Sequence, residues 1–276
     1  MQAEASQQLD FPTSNPAYPR RSTERAAGSR SLRRPVRGER AVELAPVHHA
    51  DAPVAGASGV VPRERSERLC RAVNVAIAAV AMVVLSPVML VVAFAVWATS
   101  RGPVIYSQTR VGVDRRFRLA SSYDRRGHDY GGRLFRMFKF RTMRVDAEAD
   151  GKAVWAQKQD PRTTPIGRIL RKTRLDELPQ LYNVLRGDMN IVGPRPERPT
   201  IFDELRSNIA EYPYRQRVKP GITGWAQINQ SYDACVDDVR RKVHYDLEYL
   251  RRQGMIEDLR IMSLTLPVML FRRGGW

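Results

Sequence analysis

Residues 72–97 read AVNVAIAAVAMVVLSPVMLVVAFAVW. Only Asn74, Ser86 and Pro87 interrupt this apolar run. A hydrocarbon core is crossed by about 20 helical residues, so the stretch is long enough to span one. A buried soluble helix of this length and uniformity would be unusual. Pro87 falls near the middle, where it removes a backbone hydrogen bond and bends a helix. Both flanks are basic, with Arg63, Arg65, Arg68 and Arg71 before the run and Arg101 and Arg110 after it. Basic flanks favour the cytoplasmic side, so both ends are drawn to the same face. A kinked hairpin dipping into one leaflet satisfies bend and flanks, and a straight span satisfies length. These residues alone leave both readings open.

Upstream, residues 1–66 are rich in Arg, Pro, Ser, Ala and Glu and lack apolar periodicity. Such a segment buries too little surface to offset its ordering entropy, and a disordered basic tail is expected. No signal peptide is visible there. The whole chain has 276 residues and a formal net charge of +17. Its pI is about 10.6 and its mean hydropathy −0.43. The charge points to anionic partners: acidic lipid, phosphorylated substrate or nucleic acid. The hydropathy excludes a polytopic membrane protein. Two cysteines, Cys70 and Cys235, support neither a disulfide framework nor a thiolate metal site. The four histidines, His48, His49, His128 and His244, lack metal-ligand spacing.

Downstream, Val104-Ile105-Tyr106 reads as a strand start, and residues 114–133 as a Gly/Arg-rich loop or insertion. In Phe138-Lys139-Phe140-Arg141-Thr142-Met143, strand alternation sets Lys139 and Arg141 on one face. Two cations side by side make a phosphate platform or a solvated strand face.

The chemistry concentrates in Leu170-Arg171-Lys172-Thr173-Arg174-Leu175-Asp176-Glu177-Leu178-Pro179. Leu178, Leu181, Tyr182 and Leu185 have helical spacing, Pro179 suits a first turn, and Gly187 supplies the stop. Asp176 and Glu177 thus fall at or just before a helix N-terminus. Capping acids are common there. Adjacent acids among cations also suit phosphate chemistry, because the cations offset repulsion between anions. A second cationic turn, Gly193-Pro194-Arg195-Pro196, follows. Thr200 and Asp203 resemble a capping box. Val239, Val243, Leu247 and Leu250 mark an amphipathic helix, and the stretch from Leu259 onward is apolar enough for a core helix or an interfacial one.

Taken in order, these pieces resemble the bacterial sugar transferases, the monotopic phosphoglycosyltransferases that act on polyprenyl phosphate. The resemblance covers residues 67–276. It rests on the apolar segment with Ser86-Pro87, Gln108-Thr109-Arg110-Val111-Gly112, Lys139-Phe140-Arg141-Thr142-Met143 and Leu175-Asp176-Glu177-Leu178-Pro179-Gln180-Leu181. Asn183-Val184-Leu185-Arg186-Gly187-Asp188-Met189, Val192-Gly193-Pro194-Arg195-Pro196 and Pro220-Gly221-Ile222-Thr223-Gly224-Trp225-Ala226-Gln227 complete it. Any one piece is weak, and the ordered set is specific.

The resemblance implies an α+β fold. A basic tail (1–66) precedes a re-entrant membrane helix-break-helix (67–101) broken at Ser86-Pro87. A mostly helical catalytic domain with a few short strands (102–276) follows on the cytoplasmic face of the bacterial inner membrane. The implied donor is a UDP-sugar and the acceptor a polyprenyl phosphate such as undecaprenyl phosphate. Asp176 would attack the sugar-bearing phosphate, form a covalent phosphosugar intermediate and release UMP. The lipid phosphate would then take the sugar phosphate, as the first membrane step of exopolysaccharide or glycan assembly. Glu177 would bind Mg²⁺. Beside the resemblance, the need to neutralise a diphosphate makes Arg171 and Arg195 candidates for holding phosphates, and Lys139 and Arg141 further candidates as substrate, structural or headgroup contacts. Membrane lipids are the implied partners, nucleic acid is not one, and a homo-oligomer is left open.

The chain departs from the family pattern in the 114–133 insertion, in its basic tail, and at Gln230, where many relatives have glycine. A membrane-anchored basic adaptor for nucleic acid or lipid would explain the charge. It shows no nucleic-acid-binding motif and gives the acid pair no purpose. A catalytically dead scaffold would not need both acids intact.

Overall fold

The computed structural model describes residues 60–116, 129–147, 160–230 and 236–271. The tail up to residue 59 and most of the 114–133 insertion lie outside the described residues.

The apolar run forms α1 (Glu67–Thr99), capped by Ser66, whose hydroxyl accepts from the Leu69 amide. It is one helix with Pro87 inside it, rather than two helices around a non-helical break. Pro87 cannot donate to the Val83 carbonyl four residues back. The Ser86 hydroxyl donates to that carbonyl instead, at 2.7 Å. The Ser-Pro pair therefore keeps the local backbone satisfied.

Both halves of α1 dock on the same domain. Near its start, Arg71 donates to the carbonyls of Val184 and Leu185. Asn74 accepts from the Ile191 amide at 2.6 Å. Ala78 packs with Phe135, Met137, Leu181, Val184 and Met189. Near its end, Val92 and Val96 pack with Phe140 and Leu170. Arg141 donates to the carbonyls of Ser100 at 2.7 Å and Arg101 at 3.0 Å. The opposite face is bare: Val83, Leu90, Val91 and Trp97 are each 65–73% exposed.

β1 (Ile105–Val111) and β2 (Leu134–Phe140) form an antiparallel hairpin in which Tyr106 faces Lys139. α2 (Pro165–Thr173) follows, capped by Thr164. A 3-10 turn, Leu175–Glu177, leads into α3 (Gln180–Arg186), which ends at Gly187 with φ +88°. That left-handed cap is the one expected of glycine.

β3 (Asn190–Val192) pairs in parallel with β4 (Gly221–Thr223). The glycines here let backbone meet backbone. A Cβ on Gly193 would lie 2.4 Å from the Lys219 carbonyl, and one on Gly221 2.1 Å from the Gly193 nitrogen. This contact anchors the Gly-Pro-Arg-Pro turn.

α4 (Pro199–Asn208), α5 (Trp225–Asn229), α6 (Val236–Arg252) and α7 (Met255–Phe271) complete the described fold. α4 begins at Pro199 behind Arg198 and has no side-chain cap, so the Thr200–Asp203 pattern forms no capping box. The apolar stripe of α6 is buried as its spacing requires, with Val239, Val243, Leu247 and Leu250 in the core beside Phe202, Tyr212 and Ile261. The segment 60–66 packs on this core. Val60 is buried, the Arg63 amide donates to the Leu250 carbonyl, and Arg65 pairs with Asp258 at 3.1 Å.

Candidate functional site

The acid pair sits on the 3-10 turn between α2 and α3. Arg174, which caps α2 and starts that turn, has φ +58°. A non-glycine residue in this region is uncommon and carries backbone strain. The turn buries both acids, each about 7% exposed.

Their surroundings differ sharply. Glu177 Oε1 receives Arg195 at 2.8 Å and Lys139 at 3.0 Å, with Arg174 at 3.8 Å. Burial pushes the Glu177 carboxyl up, but Arg195, Lys139 and Arg174 outweigh it and hold the carboxyl well below the usual range. Asp176 Oδ1 is buried without a hydrogen-bond partner among the described residues. Burial, reinforced by the charge of Glu177, pushes the Asp176 carboxyl up despite Lys139 and Arg195. One acid is neutralised and fixed, while its neighbour is left with unsatisfied acceptor capacity.

The pair lines a cleft of about 490 Å³. Tyr106, Gln108 and Arg110, one face of β1, form part of its wall, with Lys139 beside them on β2. Arg171 also lines it and donates to Thr163 at 3.2 Å rather than touching either acid. Arg195 is brought directly onto Glu177. Lys139 and Arg141 both line the cleft, but their charges are used differently. Lys139 turns to Glu177, whereas the Arg141 guanidinium is spent on the carbonyls at the end of α1. Ser86 and Pro87 lie within α1 and line no part of the cleft.

The structure adds residues that the sequence reading passes over. Arg110 donates to the Pro196 carbonyl at 3.0 Å and lies 3.7 Å from Glu197. Burial pulls its pKa down to about 10 against the attraction of Glu197. Glu197 meets Lys242 at 3.0 Å. Burial pushes the Glu197 carboxyl up, but Lys242, Arg215 and Arg110 prevail and set it at about 2. The period-two spacing of Tyr106, Gln108 and Arg110 is a strand-face signal that could have flagged Arg110. Nothing local in sequence pairs Glu197 with Lys242.

Among the described residues, no three His, Cys, Asp or Glu side chains gather as a metal site. Mg²⁺, however, is commonly held by one or two carboxylates plus substrate phosphates. The cation contacts of Glu177 all fall on Oε1. Its second oxygen leaves one carboxylate donor for such an ion, with substrate phosphates to supply the rest.

The family model for bacterial sugar transferases matches residues 65–272. A UDP-N-acetylgalactosamine-undecaprenyl-phosphate N-acetylgalactosaminephosphotransferase of Aeromonas hydrophila is 39% identical over 200 residues, covering 72% of this chain and 43% of that protein. A UDP-glucose:undecaprenyl-phosphate glucose-1-phosphate transferase of Escherichia coli is 40% identical over 200 residues, 72% of this chain and 39% of that protein. One of the same description from Caulobacter vibrioides is 36% identical over 214 residues, 77% of this chain and 73% of that protein. The matched region thus spans about two fifths of the first two relatives and nearly three quarters of the third. With the family model covering most of its length and the acid pair set in a cationic cleft, the chain belongs to the bacterial sugar transferase family.

Proposed function

We propose that the chain transfers a sugar 1-phosphate from a UDP-sugar to polyprenyl phosphate, undecaprenyl phosphate in bacteria, through a covalent intermediate on Asp176. The observation that carries this reading is the contrast within the acid pair. Asp176 is buried with an unpartnered oxygen, beside a carboxylate that three cations already neutralise.

In the first step an Asp176 carboxylate oxygen attacks the sugar-bearing phosphorus. The bond from that phosphorus to the bridging oxygen breaks, and UMP leaves with the electron pair. In the second, an oxygen of the lipid phosphate attacks the same phosphorus and Asp176 departs, giving polyprenyl diphosphate sugar. Splitting one displacement into two is the advantage of a covalent carboxylate. Arg195, Lys139 and Arg174 lower the repulsion that an anionic nucleophile meets at a diphosphate, and Arg171 holds a phosphate along the same wall. Glu177 keeps Arg195 and Lys139 in place and offers its second oxygen to Mg²⁺. When bound, Mg²⁺ would neutralise charge developing on the diphosphate.

The same reading sets α1 in one leaflet of the inner membrane, with the domain on the cytoplasmic face. From Asn74 to Ser100 a straight helix would run roughly 39 Å, more than the ~30 Å of a hydrocarbon core. Contacts near both ends with one polar domain favour a helix that stays on that domain's side. The names of the relatives supply the acceptor, a lipid phosphate.

The test incubates the full chain, in detergent or nanodiscs, with a panel of UDP-sugars, Mg²⁺ and undecaprenyl phosphate, and follows UMP. Release that requires Mg²⁺ is expected, and a chain that yields no UMP from any member refutes the reading. For topology, single cysteines at Arg68 and Arg101 in a Cys70→Ser/Cys235→Ser background should label from the same side of the membrane. Labelling from opposite sides overturns the one-leaflet placement.

A further inference from the structure

The cleft has two differently built ends. At one, Pro103, Arg141 and Val145 line it, and Arg141 binds the carbonyls of Ser100 and Arg101 just past α1. This end adjoins the membrane helix. A chain of contacts leads away from the acid pair to the other. Arg195 bonds Glu177, Arg110 bonds the carbonyl of the following Pro196, and Glu197 pairs with Lys242 on α6. There Ile201 and Leu205 of α4, Ala226 and Gln227 of α5, and Val239 of α6 form the wall.

In phosphoryl transfer the attacking and leaving oxygens lie roughly in line. Asp176 is the nucleophile of the first step and the leaving group of the second. UMP must therefore leave from the position opposite Asp176, and the lipid phosphate must attack from that same position. The lipid reaches the cleft at the end beside α1, so the nucleotide belongs there too. Tyr106 also lines the cleft, on the strand that begins two residues past Pro103, and its ring suits a nucleobase. The sugar stays on the phosphorus through both steps and needs a place of its own.

We propose that the lobe walled by α4, α5 and α6 holds the hexose of the nucleotide sugar, and that Gln227 reads its hydroxyl pattern. This rests on the two-step transfer proposed above. The lobe's chemistry suits a sugar, with aliphatic side chains for the C–H face and amides for hydroxyls. Gln227 Nε2 is fixed by donation to the Ile222 carbonyl at 3.0 Å, which orients its amide. Its Oε1 is buried with no donor among the described residues. Turned from Gly224 toward the lobe that Gln227 lines, this oxygen would take a sugar hydroxyl, and a site built to bond a hydroxyl rejects analogues that misplace it.

The experiment compares wild type with Gln227→Met, which keeps the length but loses the amide, and Ile201→Ala, which enlarges the lobe without touching Gln227. UMP release is measured from UDP-glucose, UDP-galactose and their N-acetylhexosamine counterparts. Binding of UMP and of each UDP-sugar is measured alongside by equilibrium titration. The ratio of kcat/KM between sugars should change by about 10-fold or more in at least one variant, with UMP affinity within about 2-fold of wild type. Weakened UMP binding with unchanged sugar ratios would assign the lobe to uridine and overturn the proposal. No change in either would also overturn it. If wild type binds UDP-sugars without releasing UMP, the transfer reading fails, and the binding ratios alone still decide the lobe.

Discussion

Two carboxylate–guanidinium clusters lie side by side in this domain, and they are built to opposite ends. Arg215 and Asp246 are fully or almost fully buried. Arg215 donates to Asp246 at 2.7–2.9 Å, to the Tyr212 hydroxyl at 2.7 Å and to the Arg195 carbonyl at 3.0 Å. Each of its three nitrogens has a partner, as a buried cation requires. At the acid pair the donors crowd one Glu177 oxygen and leave Asp176 Oδ1 with nothing. The same residue types make a fastener in one place and a reactive group in the other. What separates them is a buried acceptor left unsatisfied at a cleft. The two are joined through Arg195, whose carbonyl is held by the first cluster and whose guanidinium serves the second.

The sharpest attempt to break this comparison is Asp176→Asn. UMP release should fall by at least ~10³-fold, since the nucleophile is gone. Folding should not suffer. A carboxylate whose pKa is raised in the folded state weakens the fold at neutral pH, so the amide should leave the thermal midpoint unchanged or higher. A variant that releases UMP normally would remove Asp176 from the chemistry. One that unfolds would make it a structural acid after all.

Next comes Asp246→Ala. It strands a fully buried Arg215 cation, a loss of about 3–5 kcal/mol in urea unfolding. UMP release per folded molecule should survive much better than in Asp176→Asn, because Asp246 does not line the cleft. Asp246→Asn, which retains an acceptor, should lose less stability. Full stability with abolished activity in that milder variant would place Asp246 in the reaction and erase the distinction.

Much of this was readable along the chain, and the unread parts share a cause. Gly187 as helix stop, the buried stripe of α6 and the setting of the acids before α3 follow from local rules of spacing and capping. Local rules fail where a long-range partner decides. Alternation puts Arg141 beside Lys139 on the cleft wall, but it does not tell that the chain just past α1, 40 residues back, captures the Arg141 guanidinium. Arg110 and Glu197 meet across 87 positions, where no pattern relates them. The orphaned oxygen of Asp176 is an absence of contacts, which sequence does not encode. Ser86-Pro87 reads as a break, yet the Ser86 hydroxyl satisfies the freed carbonyl and the helix continues.

The smallest effect tests the electrostatics between the two acids. Asp176 attacks only when ionised, so UMP release should fall as pH drops through its pKa. Burial, followed by repulsion from Glu177, raises that pKa, whereas Lys139 draws it down. The acid limb of wild type should therefore lie above the usual carboxylate value of about 3.9. Lys139→Met removes an attraction that favours the charged form, so the limb should move to still higher pH. Arg195 and Arg174 continue to hold Glu177 ionised in that variant, so its repulsion of Asp176 persists. The profile of kcat/KM against pH for UMP release measures the shift in the free enzyme. A limb that stays in place or moves to lower pH would mean that Lys139 serves Glu177 alone, and that burial tunes the nucleophile without it.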